Sequence, residues 1–142
     1  MTDTKGYFLE DLAVGMSAAY SKTVTESDIA KFAEVSGDDN PLHLDETFAK
    51  TTRFKGRIAH GMLSAGFIST ILGTKLPGPG SVYMSQSLRF TAPVRIGDTV
   101  TARAEITGIR TDRKRVTLLT TCSVGGKVVI EGEALVLVPS RA

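Results

Sequence analysis

The sequence predicts an α+β domain in which one long buried helix is wrapped by a curled antiparallel β-sheet. Three observations favour this fold class. The second half of the chain alternates apolar and polar residues with a period of two, which is typical of strands buried on one side. The stretch 61–72 is apolar almost all round, as expected for a helix in the interior. Turn-forming segments at 111–114 and 125–126 separate the apparent strands.

The alternation predicts four strands in the second half, over 81–90, 99–109, 115–124 and 127–138. A further strand is expected over 16–24 in the first half. In the stretch 81–90 the residues expected on one buried face are Val82, Met84, Leu88 and Phe90, with Gln86 as the exception.

Three helices are expected in the first half of the chain. Thr25 has the side chain of an N-cap and is followed by acidic residues, which suit the positive end of a helix dipole, and Gly37 is a natural stop. The stretch 45–51 predicts a short second helix, with Asp45 as its N-cap. The stretch 61–72 is the strongest helix prediction, and the Pro- and Gly-rich residues 76–80 end it.

Composition excludes several classes of protein. The chain has 142 residues, enough for one domain spanning 1–142. Its formal net charge of +2 is too small and too dispersed to indicate nucleic acid. A single cysteine, Cys122, excludes an internal disulfide. We expect a cytoplasmic protein without a membrane span, because no apolar run approaches about 20 residues and no signal peptide is present.

One polar segment, 36–45, carries the residues best suited to chemistry. Asp38 and His43 lie within it, five residues apart, and a carboxylate beside an imidazole can take up and deliver a proton near neutral pH. Pro41 between them disfavours one continuous helix. Either a bent loop brings the two side chains together, or Asn40 caps a new helical turn with Pro41 at its first position.

Gly61 is a candidate for a different reason. It begins the predicted central helix, where the first N–H groups lack partners and lie at the positive end of the dipole. A glycine at this position allows an oxygen atom to approach closely. Such a donor would stabilise negative charge that develops on a bound carbonyl oxygen.

Two segments, 38–45 and 59–62, resemble the hydratase motif of the MaoC-like proteins. The resemblance is greatest to the R-specific enoyl-CoA hydratases that feed polyhydroxyalkanoate synthesis. The resemblance extends over nearly the whole chain. The later segments that share it, 76–81, 86–88 and 92–98, are common to many proteins with the hot-dog fold. The specific elements are Asp38-x-Asn40-Pro41-Leu42-His43-x-Asp45 and Ala59-His60-Gly61-Met62.

The resemblance implies an enzyme that adds water to trans-2-enoyl-CoA to give (3R)-3-hydroxyacyl-CoA. It implies that Asp38 and His43 are catalytic, that the Gly61 amide binds the thioester oxygen, and that Ser69 lies near the active site. It also implies a homodimer with the hot-dog fold and a site at the subunit interface. No metal or other cofactor is expected, since coenzyme A is part of the acyl-CoA substrate.

Other interpretations remain open from the sequence. The chain could be a 3-hydroxyacyl-[acyl-carrier-protein] dehydratase, a thioesterase, or a non-catalytic acyl-CoA-binding protein, since fold alone does not decide function. His60 is expected to orient the turn before Gly61. Cys122 is expected in the core rather than as a nucleophile. A last group, Arg110, Arg113 and Lys114, lies either on a solvated turn or beside the phosphates of coenzyme A.

Overall fold

Most helices of the chain precede residue 75, and most strands follow it. The structure is a computed structural model that describes residues 5–142. In chain order it contains a 3-10 turn (Leu9–Asp11), strand β1 (Ser17–Thr23), helices α1 (Glu26–Ser36), α2 (Pro41–Leu44), α3 (Glu46–Ala49) and α4 (Gly61–Thr74), and strands β2 (Val82–Gln86), β3 (Arg89–Phe90), β4 (Thr99–Arg110), β5 (Arg115–Val124) and β6 (Lys127–Leu137).

The strands form one antiparallel sheet in the order β1-β4-β5-β6-β2, and β3 also pairs with β6. The sheet does not close on itself, so β1 and β2 are its edges. Cys122 on β5 lies opposite Ala102 on β4 and Ile130 on β6, and all three side chains are buried. Register shifts in the β4–β5 and β5–β6 ladders increase the local twist, which helps the sheet curl. The predicted α+β architecture is confirmed.

Helix α4 crosses the concave face of the sheet and contacts β1, β4 and β5. It begins at Gly61, as the sequence predicts, and runs two residues beyond the expected end. Ile68 and Ile71 are fully buried, and so are Ala102 and Ala104 of β4, whose small side chains let the helix lie close. No helix within residues 5–142 is long and apolar enough to cross a membrane.

The expectation that α4 is buried on nearly every side is wrong for one stripe. Met62, Gly66, Ser69 and Gly73 are exposed in the isolated chain. These residues recur at intervals of three or four, so they share one line along the helix. Their apolar or small character explains why the sequence alone predicts burial at these positions.

Most buried apolar side chains form one cluster that includes residues of α1, α4, β4, β5 and β6. Cys122 belongs to this cluster, as predicted, and its thiol is 3.5 Å from the backbone carbonyl of Ser64. Burial raises the pKa of the Cys122 thiol to about 12, so it stays protonated and unreactive.

Helix α1 begins and ends where the sequence predicts. The Thr25 side chain accepts a hydrogen bond from the Asp28 N–H at 3.1 Å, and the Asp28 carboxylate accepts one from the Thr25 N–H at 3.0 Å. The helix ends at Gly37, which adopts the left-handed conformation with φ +79°. Lys22 adds an ion pair with Asp28 at 2.6 Å. These contacts fix α1 beside the candidate site.

The strand expected over 81–90 differs from the prediction in two ways. It is split into β2 and β3, and between them the carbonyl of Ser87 lies so close to β6 that a Cβ on Gly132 would be 1.8 Å from its oxygen. Its apolar face is also not buried within the chain. Val82, Met84 and Phe90 have exposed fractions of 53%, 46% and 51%. Of the four residues expected on this face, only Leu88 packs against the core.

Candidate active site

The segment between α1 and α4 folds into two short helices. The Asn40 side chain accepts a hydrogen bond from the Leu42 N–H at 3.0 Å, with Pro41 at the first position of α2. The Asp45 side chain accepts one from the Phe48 N–H at 3.2 Å and caps α3. Of the two arrangements that the sequence leaves open, the structure therefore has the capped helical turn. This turn points the His43 side chain inward.

His43 is buried and has a defined orientation. Its Nδ1 is 2.8 Å from the backbone carbonyl of Ile58. Because a carbonyl oxygen can only accept, Nδ1 carries a proton in the neutral ring, and Nε2 carries the lone pair. His43 can therefore exchange a proton through Nε2 while Nδ1 stays fixed.

Asp38 lies beside this ring, as predicted. One carboxylate oxygen of Asp38 and one ring nitrogen each of His43 and His60 all lie within 4.8 Å of one another. The Asp38 carboxylate also accepts a 3.3 Å hydrogen bond from the Asn40 N–H, which holds the loop in its bend. Asp38 is exposed in the isolated chain, whereas both histidines are buried. The structure thus brings an exposed carboxylate, that of Asp38, next to a buried imidazole, that of His43.

His60 contributes more than the sequence indicates. Its ring stacks on that of His43, with the centroids 3.9 Å apart, and its Nε2 donates to the backbone carbonyl of Asp38 at 3.0 Å. Phe32 of α1 packs on the ring from 4.7 Å. Burial lowers the pKa of His60 and the neighbouring His43 lowers it further, although the bond to Asp38 opposes this. His60 is therefore a neutral ring that contacts both Asp38 and His43.

Gly61 follows directly and begins α4. The helix N-terminus offers backbone N–H groups at the positive end of the dipole. A Cβ at Gly61 would lie 2.6 Å from the Phe90 ring, so any side chain here would displace that ring. The structure confirms the helix start, while the role of the Gly61 amide remains a prediction.

These residues line a cavity of about 440 Å³. Asp38, His43, His60 and Gly61 supply its polar side. Two buried polar atoms in its wall, His60 Nδ1 and Ser64 Oγ, have no hydrogen-bond partner among residues 5–142. The rest is mainly apolar, with side chains that include Ile58, Met62, Phe90, Val94 and Ile130. A cavity of this kind suits a ligand with an apolar chain and one reactive polar group.

Ser69 is not part of this cavity. It is exposed on α4, eight residues after Gly61, which corresponds to about 12 Å along the helix axis. Within one chain it therefore does not meet Asp38 or His43. Sequence reasoning also missed two residues that do line the cavity, Arg53 and Phe54. Their segment has no motif that marks it.

The cluster of Asp38, His43 and His60 has ligand types that a metal ion could use. A histidine binds a metal through a lone pair in the plane of its ring. Because the rings of His43 and His60 are stacked at an interplanar angle of 29°, these lone pairs run side by side rather than converging. The donor set therefore fits a metal ion poorly, and the absence of a cofactor stays a prediction.

Comparison with known proteins gives a consistent result. The family model described as "MaoC like domain" matches residues 12–127. A protein of Rhodospirillum rubrum named (R)-specific enoyl-CoA hydratase is 62% identical over 135 residues, covering 95% of this chain and 94% of the relative. A 3-hydroxybutyryl-CoA dehydratase of Methylorubrum extorquens is 53% identical over 134 residues, and the match covers 94% of this chain and 85% of the relative.

The fold is also that of solved hydratase structures. An (R)-hydratase of Aeromonas caviae involved in PHA biosynthesis superposes with a TM-score of 0.88 at 47% sequence identity. The match covers 92% of this chain and 99% of that one. The similarity therefore extends over the sheet, α4 and the segment that carries Asp38 and His43.

Proposed function

Because the chain belongs to the MaoC-like family, we propose that it is a lyase that hydrates trans-2-enoyl-CoA to (3R)-3-hydroxyacyl-CoA and catalyses the reverse dehydration. The observation that carries the proposal is the meeting of the Asp38 carboxylate and the His43 ring at one side of an otherwise apolar cavity. The relatives described above, whose names give this activity, support it. Coenzyme A enters as part of the substrate.

In the proposed mechanism a water molecule binds between Asp38 and His43. The Asp38 carboxylate accepts a proton from this water as its oxygen attacks the β-carbon. Asp38 passes this proton to the lone pair on Nε2 of His43, and His43 delivers it to the α-carbon, which restores the carboxylate and the neutral ring. The sum adds one hydrogen and one hydroxyl from a single water. Because both groups contact the same water molecule, the division of roles belongs to the pair.

The Gly61 amide has the second role in this mechanism. As the β-carbon is attacked, negative charge develops on the thioester oxygen. An N–H group at the start of the 14-residue α4 stabilises that charge, helped by the helix dipole. One such donor typically contributes about 3–4 kcal/mol in the transition state. The apolar side chains Met62, Phe90 and Ile130 then receive the acyl chain.

We also propose that the protein is a homodimer. Strand β2 is an unpaired edge, and its apolar residues Val82 and Met84 are exposed in the isolated chain. An exposed apolar edge strand is a ready template for pairing with a second chain. Ser69 lies on the exposed stripe of α4 and would approach substrate only across such an interface. A cytoplasmic location stays a prediction of the sequence.

The proposal is tested by hydration of crotonyl-CoA, followed through the loss of ultraviolet absorbance of the conjugated thioester. We expect D38N and H43Q to lose about 100- to 10,000-fold in kcat, the usual contribution of a positioned acid or base. The matched control is D39N, because Asp39 is the adjacent exposed carboxylate and does not line the cavity. Circular dichroism checks that each variant folds.

Near wild-type turnover in D38N or H43Q would contradict the mechanism. Chiral analysis of the product should give the (3R) form, and a (3S) product would contradict the proposed stereochemistry. Crotonyl-carrier protein as substrate tests the dehydratase alternative, and release of free thiol tests the thioesterase alternative. Tight binding without turnover would identify a non-catalytic acyl-CoA-binding protein.

A further inference from the structure

A basic segment forms one side of the cavity. Residues 50–57 lead from α3 towards α4 and include Lys50, Arg53, Lys55 and Arg57, with no acidic residue among the eight. Within this segment Arg53 and Phe54 line the cavity that contains Asp38 and His43. The segment therefore places positive charge beside a site whose proposed substrate is an anion.

Two arginines fix the backbone of this segment. Arg57 donates to both carboxylate oxygens of Glu26, at 2.8 and 2.9 Å, and its Nε donates to the backbone carbonyl of His43 at 2.7 Å. Arg95, from outside the segment, donates to the carbonyl of Phe54 at 2.5 Å. These guanidinium groups are already engaged in structural contacts, and they hold residues 54–57 in place against the cavity.

Arg53 differs from Arg57 and Arg95 in its contacts. Among the contacts of residues 5–142, its guanidinium has no carboxylate or carbonyl partner and lies over the Phe54 ring, 5.3 Å from the centroid. A guanidinium stacked on an aromatic ring keeps the N–H groups at its edge available for a planar or tetrahedral anion. Arg53 is exposed, whereas His43 and His60 are buried, so it lies towards the open side of the cavity.

We infer that Arg53, stacked on Phe54, binds a phosphate of the substrate's phosphopantetheine or nucleotide portion. This inference rests on the proposed function. The acyl group of the substrate lies beside Asp38 and His43, and its phosphates lie at the other end of the pantetheine arm, which leaves through the open side. A guanidinium fork is suited to hydrogen bond two phosphate oxygens at once.

The turn that carries Arg110, Arg113 and Lys114 is a poorer candidate. It adjoins Arg115 at the start of β5, whereas the cavity wall at Ile130 lies opposite Cys122. Seven residues of strand separate these two points, or about 23 Å. Arg110 is also engaged with Asp112 at 2.9 Å. The variant R113A therefore tests the alternative that this turn binds the phosphate.

The test compares three thioesters that carry the same crotonyl group: crotonyl-CoA, crotonyl-4′-phosphopantetheine and crotonyl-pantetheine. For R53A we expect KM for crotonyl-CoA to rise about 10-fold, the usual effect of losing a hydrogen bond between charged groups at a partly exposed site, with kcat little changed. Crotonyl-pantetheine, which has no phosphate, should show no change. R53K should recover part of the loss, because it keeps the charge but not the fork.

The phosphopantetheine substrate identifies which phosphate is bound. If R53A weakens it as much as it weakens crotonyl-CoA, Arg53 contacts the phosphate of the arm, which carrier proteins share. If R53A weakens crotonyl-CoA alone, Arg53 contacts the nucleotide. An equal rise in KM for crotonyl-pantetheine, or an effect of R113A in place of R53A, would overturn the inference.

Calorimetry with free coenzyme A supplies a readout that does not depend on turnover. R53A should bind coenzyme A about 10-fold more weakly than wild type does, and R113A should bind it as wild type does. If the wild type binds coenzyme A but hydrates none of the three thioesters, the proposed function fails while the phosphate site stands. If R53A binds coenzyme A as tightly as wild type, the phosphate site is wrong.

Discussion

Two backbone carbonyls decide how the histidines of the cavity can act. Ile58 accepts from Nδ1 of His43, and Asp38 accepts from Nε2 of His60. When the rings are neutral, these contacts fix each histidine in one tautomer and leave opposite ring nitrogens for other contacts. The lone pair of His43 is the one that can serve the reaction, whereas Nδ1 of His60 is buried and has no hydrogen-bond partner in the part of the chain that the structure describes.

We predict that His60 is a positioning residue for Asp38 and His43. H60A removes both the ring stacked on His43 and the donor to the Asp38 carbonyl, so the two catalytic groups lose their common support. We expect kcat to fall up to about 100-fold with KM little changed, because small misplacements of reacting groups carry costs of that order.

H60Q provides the control, because its amide N–H can replace the donor to Asp38 but not the stacked ring. It should recover part of the activity of H60A. Steady-state kinetics on crotonyl-CoA measure both variants, and thermal unfolding checks that they fold. A kcat for H60A within twofold of wild type would show that His60 does not position the catalytic pair.

Among the secondary-structure elements, α1 provides the clearest link between local sequence and the site. It presents Phe32 to His60 and Glu26 to Arg57, and Arg57 in turn holds the His43 carbonyl. The Thr25 cap sets where this helix begins. The stability of α1 and the geometry of the site are therefore connected.

T25A is expected to lower the free energy of unfolding by about 1 kcal/mol, because the Asp28 N–H loses its side-chain acceptor. S27A is the matched control, since Ser27 is an exposed residue in the first turn and accepts no capping hydrogen bond. Urea unfolding measures both variants. Equal stability of T25A and S27A would mean that the cap contributes nothing measurable.

The elements that the sequence predicts well are those specified by neighbouring residues. The start of α1 at Thr25, its end at Gly37 and the start of α4 at Gly61 follow from the chemistry of single positions and are confirmed. The strands after residue 99 follow from alternation over ten or more residues. The prediction of one strand over 81–90 is wrong in part, since neighbouring residues do not reveal the close approach of Ser87 to Gly132 in β6 at the break.

In the candidate site, too, contacts between residues close in sequence are predictable and contacts between distant residues are not. Asp38 and His43 are close in sequence, so a single capped turn is enough to bring them together. The bond from His60 to Asp38 joins residues 22 positions apart, and the stacking of Arg53 on Phe54 lies in a segment without a motif. Such contacts depend on how the whole segment folds over α4, which local patterns do not reveal.

For the molecule as a whole, the apolar residues at the β2 edge form a surface that the chain's own core does not cover. V82E introduces a charge at a residue that is 53% exposed on this edge. We expect it to weaken the proposed dimer at least about 10-fold, because burying an unpaired charge in an interface is costly. Light scattering across a concentration series measures the change.

V14E is the matched control for this prediction. Val14 is 64% exposed and precedes β1, at the opposite edge of the sheet. The same substitution there should leave the mass unchanged. A wild-type protein that is monomeric at all concentrations, or equal effects of V82E and V14E, would contradict the proposed interface.

The placement of Asp38 and His43 on one wall has a stereochemical consequence. Both side chains come from the same short segment, and a carboxylate oxygen of Asp38 lies within 4.8 Å of a ring nitrogen of His43. A flat alkene lying against this wall presents a single face to both groups. In heavy water, the deuterium at the α-carbon would therefore enter from the face that receives the hydroxyl, and the labelled product would be a single diastereomer.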